Sequence, residues 1–236
     1  MQIISCGDSF TVGIGCHDPH VQSYARLVSD HFGSQYVNLA KPGASHFVVY
    51  LQSVFATGLA PDLVLLNTTS PDRTEWVLDG VDVRRPLSAD QVSYKGFFEG
   101  PTYISELPSY APAIVSDQIH AIGQSHKYPD EPKAKVAQIK EFYTTASDDH
   151  IKREYDIGII SLAYQGLKLK GIRCVVLAGI LYDPLVNLVD PDDLIHVDFF
   201  ALSRDYPDTL NTCHCTPEAH EMVSAKIIEN ITKHLS

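Results

Sequence analysis

Short apolar runs, partly β-branched, punctuate the chain at Gln2 to Cys6, Tyr36 to Leu39, Asp62 to Asn67 and Arg173 to Ile180. Runs of this length, bounded by turn-forming residues, read as buried strands. Between the first three the period lengthens to that of a helix. Tyr24, Leu27, Val28, His31 and Phe32 share one helical face, and Ala44 to Phe55 carries a second, largely apolar helix. Gly33 and Gly58 stand where helix ends favour glycine. Strand, helix, strand, helix, strand before Ser70 predicts parallel pairing through right-handed crossovers, with helices over both faces of the sheet. The expected architecture is a three-layer α/β/α domain with a short parallel sheet.

The end of the chain returns to the helical period. From Pro217 to His234, Ala219, Val223, Ile227 and Ile231 form an apolar stripe, Thr216 suits the N-cap and Pro217 the first helical position. Ala134 to Leu169 is also helical in pattern and leads into the strand at Arg173. The stretch from 71 to about 132 breaks this rhythm. Rich in proline, tyrosine and phenylalanine and without a parallel-strand pattern, it reads as an insertion after the third strand, made of loops and a hairpin. It is either a rim that shapes a pocket or a packed excursion. No repeat, low-complexity tract or linker appears, so 1–236 is expected to form a single domain.

Composition narrows the classes. A chain of 236 residues, 44% of them hydrophobic, buries about 70–75% of its unfolded surface and needs neither disulfides nor metals for its core. Five cysteines, an odd count, follow a start of Met1-Gln2-Ile3-Ile4 that has no basic or long apolar leader. That pattern points to a reducing compartment and a cytoplasmic location. No apolar run approaches the roughly 18 residues of a membrane span. Lys plus Arg is 18 against 29 Asp plus Glu, a formal charge of −11 that repels a phosphate backbone. The Arg84-Arg85 pair is too short to reverse this, which argues against nucleic acid and anionic membranes as partners.

Candidate chemistry begins where the first strand ends, at Cys6-Gly7-Asp8-Ser9-Phe10-Thr11. Sites of open α/β sheets collect at the carboxyl ends of the strands. A Gly-Asp-Ser turn there is either a helix cap or the seat of a nucleophile, and a serine hydroxyl reacts only once a base takes its proton. His214, in Asn211-Thr212-Cys213-His214-Cys215-Thr216-Pro217, occupies a loop just before the last helix. It is the best-placed base, and its competing reading is a solvated or hydrogen-bonded side chain. Other constellations fit less well. There is no Gly-x-Ser-x-Gly elbow and no Gly-x-x-x-x-Gly-Lys loop, and Gly13-Ile14-Gly15 lacks the third glycine of a dinucleotide site. Cys213-His214-Cys215 with His220 has poor spacing for a tetrahedral zinc site, so no metal is expected. Asp148-Asp149 followed by Lys152-Arg153 reads as a solvated helix face. Trp76, Tyr94, Phe97, Phe98 and Tyr103 suit stacking on a sugar or packing in a core.

Taken together, four blocks resemble the SGNH (GDSL) hydrolase family: Gly7-Asp8-Ser9-Phe10-Thr11, Asn38-Leu39-Ala40-Lys41-Pro42-Gly43-Ala44-Ser45, Pro61-Asp62-Leu63-Val64-Leu65-Leu66 and the histidine before the last helix. The resemblance covers about half the chain and leaves the insertion unmatched. It implies a flavodoxin-like sheet order and ester hydrolysis without a cofactor. Position by position, Ser9 matches the nucleophile, whose N–H also serves the oxyanion hole. Gly43 matches the second N–H donor, and His214 matches the general base.

Two blocks depart from the family. Its third block usually ends in Gly-x-Asn-Asp, with the asparagine as a further oxyanion donor, whereas this chain reads Asn67-Thr68-Thr69-Ser70-Pro71-Asp72-Arg73. A hydroxyl from Ser70 or Thr69 is the available substitute. The family also places an aspartate three residues before the histidine, and Asn211 stands there. In a serine protease triad that exchange costs about 10⁴ in turnover, chiefly through the wrong imidazole tautomer. Three outcomes follow: a Ser–His dyad oriented by a backbone carbonyl or by Asn211, rescue by Asp208 or Asp205, or lost activity. The resemblance thus implies hydrolysis of a small acyl ester such as acetate on a carbohydrate. The alternative is an impaired protein on the same fold that binds a glycan or a protein.

Overall fold

The computed structural model describes residues 1–71, 73, 141, 148–207 and 214–234, with the backbone of Glu75–Val77 and Ala113–Val115. Strands β1 (Gln2–Cys6), β2 (Gln35–Asn38), β3 (Leu63–Asn67), β6 (Arg173–Ala178) and β7 (Leu194–His196) form one sheet in the order β2-β1-β3-β6-β7. Every neighbouring pair in it is parallel. Two short strands, β4 (Glu75–Val77) and β5 (Ala113–Val115), pair antiparallel outside that sheet. With Pro71 and Arg73 they are the described portion of the expected insertion, and the rest of 71–132 lies outside the described residues.

The strands bury side chains on both faces, because each alternates its residues between two cores. Ile4, Val64, Leu66, Cys174 and Val176 point into one core, against helices α4 (His46–Leu59) and α5 (Asp149–Leu169). Ile3, Leu63, Leu65, Val175 and Leu177 point into the other, against α3 (Tyr24–His31) and the helix Pro217–Lys233. Full burial of each such side chain stabilises by about 1.5–3 kcal/mol. This is the three-layer α/β/α architecture expected from the patterning.

Several boundaries moved for physical reasons. The buried face of α3 is Tyr24, Ala25, Val28 and Ser29, with His31 exposed, so the stripe is rotated from the one read in the sequence. Gly33 takes the left-handed conformation just past α3, at φ 57°. Gly58 instead lies inside α4, and Ala60 ends that helix at φ 48°. Helix α5 starts at Asp149, capped by Asp148, whose carboxylate accepts the His150 and Ile151 N–H groups. Most of 134–147 lies outside the described residues. Lys152 is not on a purely solvated face, since it pairs with Asp156, a carboxylate only 1% exposed. The C-terminal helix matches its reading: Pro217 opens it, and Ala219, Val223, Ile227 and Ile231 are buried.

This strand order sends the connection from β1 to one side of the sheet and that from β3 to the other. The crevice between their carboxyl ends is where ligands bind in such sheets.

Candidate active site

Strand β1 leaves the sheet through Gly7. A Cβ on Gly7 would stand 2.1 Å from Thr11 Oγ1 and 3.0 Å from Asn67 Cβ, so only glycine lets the first turn pack this closely on β3. Asp8 then caps helix α1 (Ser9–Val12), its carboxylate accepting the Phe10 N–H at 3.1 Å. Gly13, at φ 91°, ends the helix one turn later. Ser9 is therefore the first residue of a short helix at the carboxyl end of β1, and it is 4% exposed.

The loop after β2 comes to the same place. Lys41 N–H donates to the Gly7 carbonyl at 3.1 Å, and Asn38 Oδ1 accepts from Ser5 Oγ and from the Ala40 N–H. Ala44 N–H closes onto the Lys41 carbonyl at 3.1 Å around Pro42 and Gly43, and Gly43 has φ 74°. Proline second and a left-handed glycine third define a type II turn. Its closing bond uses the Ala44 N–H and not that of Gly43.

The loop after β3 is tied in by a buried charge cluster. Asp8, 1% exposed, accepts from Arg73 Nη1 at 2.6 Å and from Thr69 Oγ1 at 2.8 Å. Arg73 also donates to Thr69 Oγ1 and, at 3.3 Å, to the Ala44 carbonyl. One guanidinium thus binds the turns after β1, β2 and β3 together. The Thr69 hydroxyl spends its single proton on Asp8, and its N–H donates to His46 Nε2 at 3.1 Å. Of the two hydroxyls considered from the sequence, Ser70 is the one that this cluster does not commit to Asp8. It sits half-buried, its carbonyl accepting the Arg73 N–H at 3.3 Å.

His214 reaches this edge from the other end of the chain. Its ring lies 4.9 Å from the ring of Phe10, the residue after Ser9. Among the described residues, its chain neighbours are tied down by a bridge between Pro207 and Cys215 and by a Thr216 N–H bond to the Tyr206 carbonyl at 3.1 Å. Asn211, Asp208 and Cys213 lie outside the described residues, and Asp205 is exposed at the end of Phe199–Asp205. Phe10 also stacks on Phe199 at 5.1 Å and meets Phe200 edge-on at 5.4 Å. These rings and Ile180 form the apolar wall of a cleft whose polar wall is Asp8, Thr68, Thr69 and Asp198.

Among the described residues, the other candidate nucleophiles and ligands are engaged or suppressed. Burial pushes the Cys6 and Cys174 thiols up, and that of Cys16 to about 12, so none is a thiolate near neutral pH. Cys215 Sγ points at the Phe199 carbonyl, and His220 Nδ1 accepts the Tyr24 N–H at 3.2 Å. Among the described residues no helix is long and apolar enough to cross a membrane.

Sequence reasoning missed Arg73, Gln52 and His46. Arg73 fell inside the unreadable insertion. Gln52 and His46 carried one faint signal, a polar residue within a largely apolar helix.

No family model matches this sequence, and no curated protein does. Solved structures match the fold. An acetyl xylan esterase (Est2A) from the rumen bacterium Butyrivibrio proteoclasticus aligns with a TM-score of 0.50 at 11% identity, over 99% of this chain and 64% of that one. The chain thus spans less than two thirds of that enzyme's length. The psychrotrophic esterase EstA from Pseudoalteromonas sp. aligns with a TM-score of 0.48 at 9% identity, over 99% of this chain and 98% of that one. The likeness is one of fold, a parallel sheet between two helical layers.

Proposed function

We propose that this chain is a serine ester hydrolase of SGNH type that removes a small acyl group, acetyl first among them, from a carbohydrate or similar alcohol. The observation that supports this most is that Ser9 opens the helix at the carboxyl end of β1, next to Phe10, whose ring lies 4.9 Å from that of His214. Ser9 Oγ attacks the ester carbonyl as His214 takes its proton. The N–H groups of Ser9 and Gly43, with the Ser70 hydroxyl, hold the oxyanion, and losing one such donor costs about 2.7–4 kcal/mol. The protonated His214 then gives its proton to the departing alcohol. It next takes a proton from water, which attacks the acyl-enzyme, and passes that proton to Ser9 Oγ as the bond to the acyl carbon breaks and the acid leaves. Asn211 is the residue assigned to orient His214. No cofactor enters these steps. Residues 1–236 are read as a single domain, with 71 to about 132 as an insertion after the third strand.

Hydrolysis of 4-nitrophenyl acetate, acetate release from acetylated xylan and labelling by a fluorophosphonate test the reading. Turnover and labelling that both vanish in Ser9→Ala, with turnover lost in His214→Ala, are expected. A native protein that neither labels nor turns over any acyl ester overturns it. Retained binding of the acetylated glycan would then mark a binding module on this fold, as Asn211 in the aspartate's place suggests.

A further inference from the structure

A second histidine lies buried beneath the loop that follows β3. His46 opens α4, and its Nε2 accepts the Thr69 N–H at 3.1 Å. Its Nδ1 stands 3.2 Å from Asp156 Oδ2 on α5, and both side chains are at most 1% exposed. The approach is off the N–H axis, so Nδ1 makes no straight hydrogen bond. Lys152, one turn before Asp156, holds that carboxylate from the solvent side.

A neutral imidazole has one N–H and one lone pair. A backbone amide only donates, so Nε2 must carry the lone pair and Nδ1 the proton, facing Asp156. The opposite tautomer would set an Nε2–H against the Thr69 N–H, and a doubly protonated ring would do the same. Burial pushes the His46 pKa down against the pull of Asp156, and the ring stays neutral. The groups facing it are Asp156 and Lys152 from α5 and Asp8 from the first turn, the last paired with Arg73.

Thr69 joins this pair to the candidate active site. Its N–H goes to His46, while its hydroxyl goes to Asp8, the neighbour of Ser9. We propose that His46 is a positioning residue: its Nδ1–H tautomer, favoured by the Asp156 carboxylate, leaves Nε2 free to accept the Thr69 N–H and so fixes the Thr69 backbone and thereby the loop that brings Ser70 and Arg73 to the edge where Ser9 stands. This rests on the hydrolase reading above for its kinetic consequence, though not for the tautomer itself.

Nitrogen-15 NMR of the native protein is the first test. A His46 ring in the Nδ1–H form that does not titrate near the ordinary histidine value of about 6.5 is expected. An Nε2–H form, or titration there, overturns the proposal. Asp156→Asn, whose amide can donate to Nδ1 and so admit the wrong tautomer, should lower kcat about ten- to a hundredfold while KM stays within about twofold. His46→Gln, whose Oε1 reaches the Nε2 position and needs no tautomer, should keep more kcat than Asp156→Asn. Native kcat in Asp156→Asn, or a loss in KM alone, counts against the idea. If the native protein neither labels nor turns over, the hydrolase reading fails by itself. Hydrogen exchange at the Thr69 amide then decides: protection lost in Asp156→Asn supports the proposal, and unchanged protection overturns it. Should Asp156→Asn fail to fold, the native tautomer still decides: the Nδ1–H form supports the proposal and the Nε2–H form overturns it.

Discussion

Gln52 grips the backbone of Gly7 from both sides, its Oε1 accepting the Gly7 N–H at 2.6 Å and its Nε2 donating to the Gly7 carbonyl at 3.1 Å. The side chain is fully buried in α4, on the helix that follows β2, and Gly7 is the residue at which β1 leaves the sheet. A strand end cannot supply ladder partners for its own backbone, and buried backbone groups are costly to leave unpaired. Gln52 replaces the missing partners and fixes the exit angle of the turn that bears Asp8 and Ser9.

Gln52→Leu keeps the volume of the side chain and orphans the Gly7 N–H, while the carbonyl retains Lys41. Urea unfolding should report a loss of about 1–3 kcal/mol. Fluorophosphonate labelling of Ser9 should slow in the folded variant, and an unchanged rate would mean that the grip does not set the turn.

Gly7→Ala would drive a methyl group to 2.1 Å from Thr11 Oγ1, itself hydrogen-bonded to Tyr24 at 2.9 Å. Overpacking of this kind costs about 1–3 kcal/mol. The double variant Gly7→Ala/Thr11→Ala removes the colliding hydroxyl and should recover part of the loss. Thermal unfolding that finds Gly7→Ala as stable as the native chain would rule out the close approach.

Arg73→Leu leaves Asp8 a buried carboxylate with only neutral donors around it: Phe10 N–H, the Thr69 hydroxyl and, at 3.5 Å, the Asn67 amide. Breaking a buried ion pair from one side costs about 3–5 kcal/mol. Adding Asp8→Asn should restore most of it, because the unpaired charge goes with the carboxylate. Additive losses in the pair would show that the two residues act independently.

Stability should fall in acid through the buried histidines. Desolvation lowers the pKa of His220 to about 4, with His214 adding to the effect, and burial lowers that of His46 as well. The unfolded chain binds these protons near pH 6.5, whereas the folded chain refuses them until lower pH. Stability is thus full above about 6.5 and declines as pH falls toward 4, by about 3 kcal/mol for His220 alone. His220→Asn keeps an acceptor for the Tyr24 N–H and does not titrate. Its stability measured across that window should decline less steeply than that of the native chain, and an equal slope would clear His220 of the role.

Much of the scaffold was legible in one dimension, because burial on both sheet faces writes itself as short apolar runs and burial of one helix face as a period near 3.6. That is why β1, β3 and the stripe Ala219, Val223, Ile227 and Ile231 stand where the pattern put them. β7, only Leu194–His196, carries too few residues for a period to show. Ser9 and His214 were singled out as residue types in suggestive surroundings, and the approach of the His214 ring to that of Phe10 is a contact that no local pattern encodes.

What the sequence determined by itself is the layered fold and the glycine-bearing turns, since periodicity and backbone freedom are local properties of the chain. What only the tertiary structure decided is how the edge is held: Gln52 on Gly7, Arg73 across Asp8, Thr69 and Ala44, and Asp156 behind His46. Each is a polar group with at least one partner far along the chain. Its meaning comes from burial beside that partner, since a hydrogen bond that is nearly neutral in water becomes costly to lose once both groups are dry.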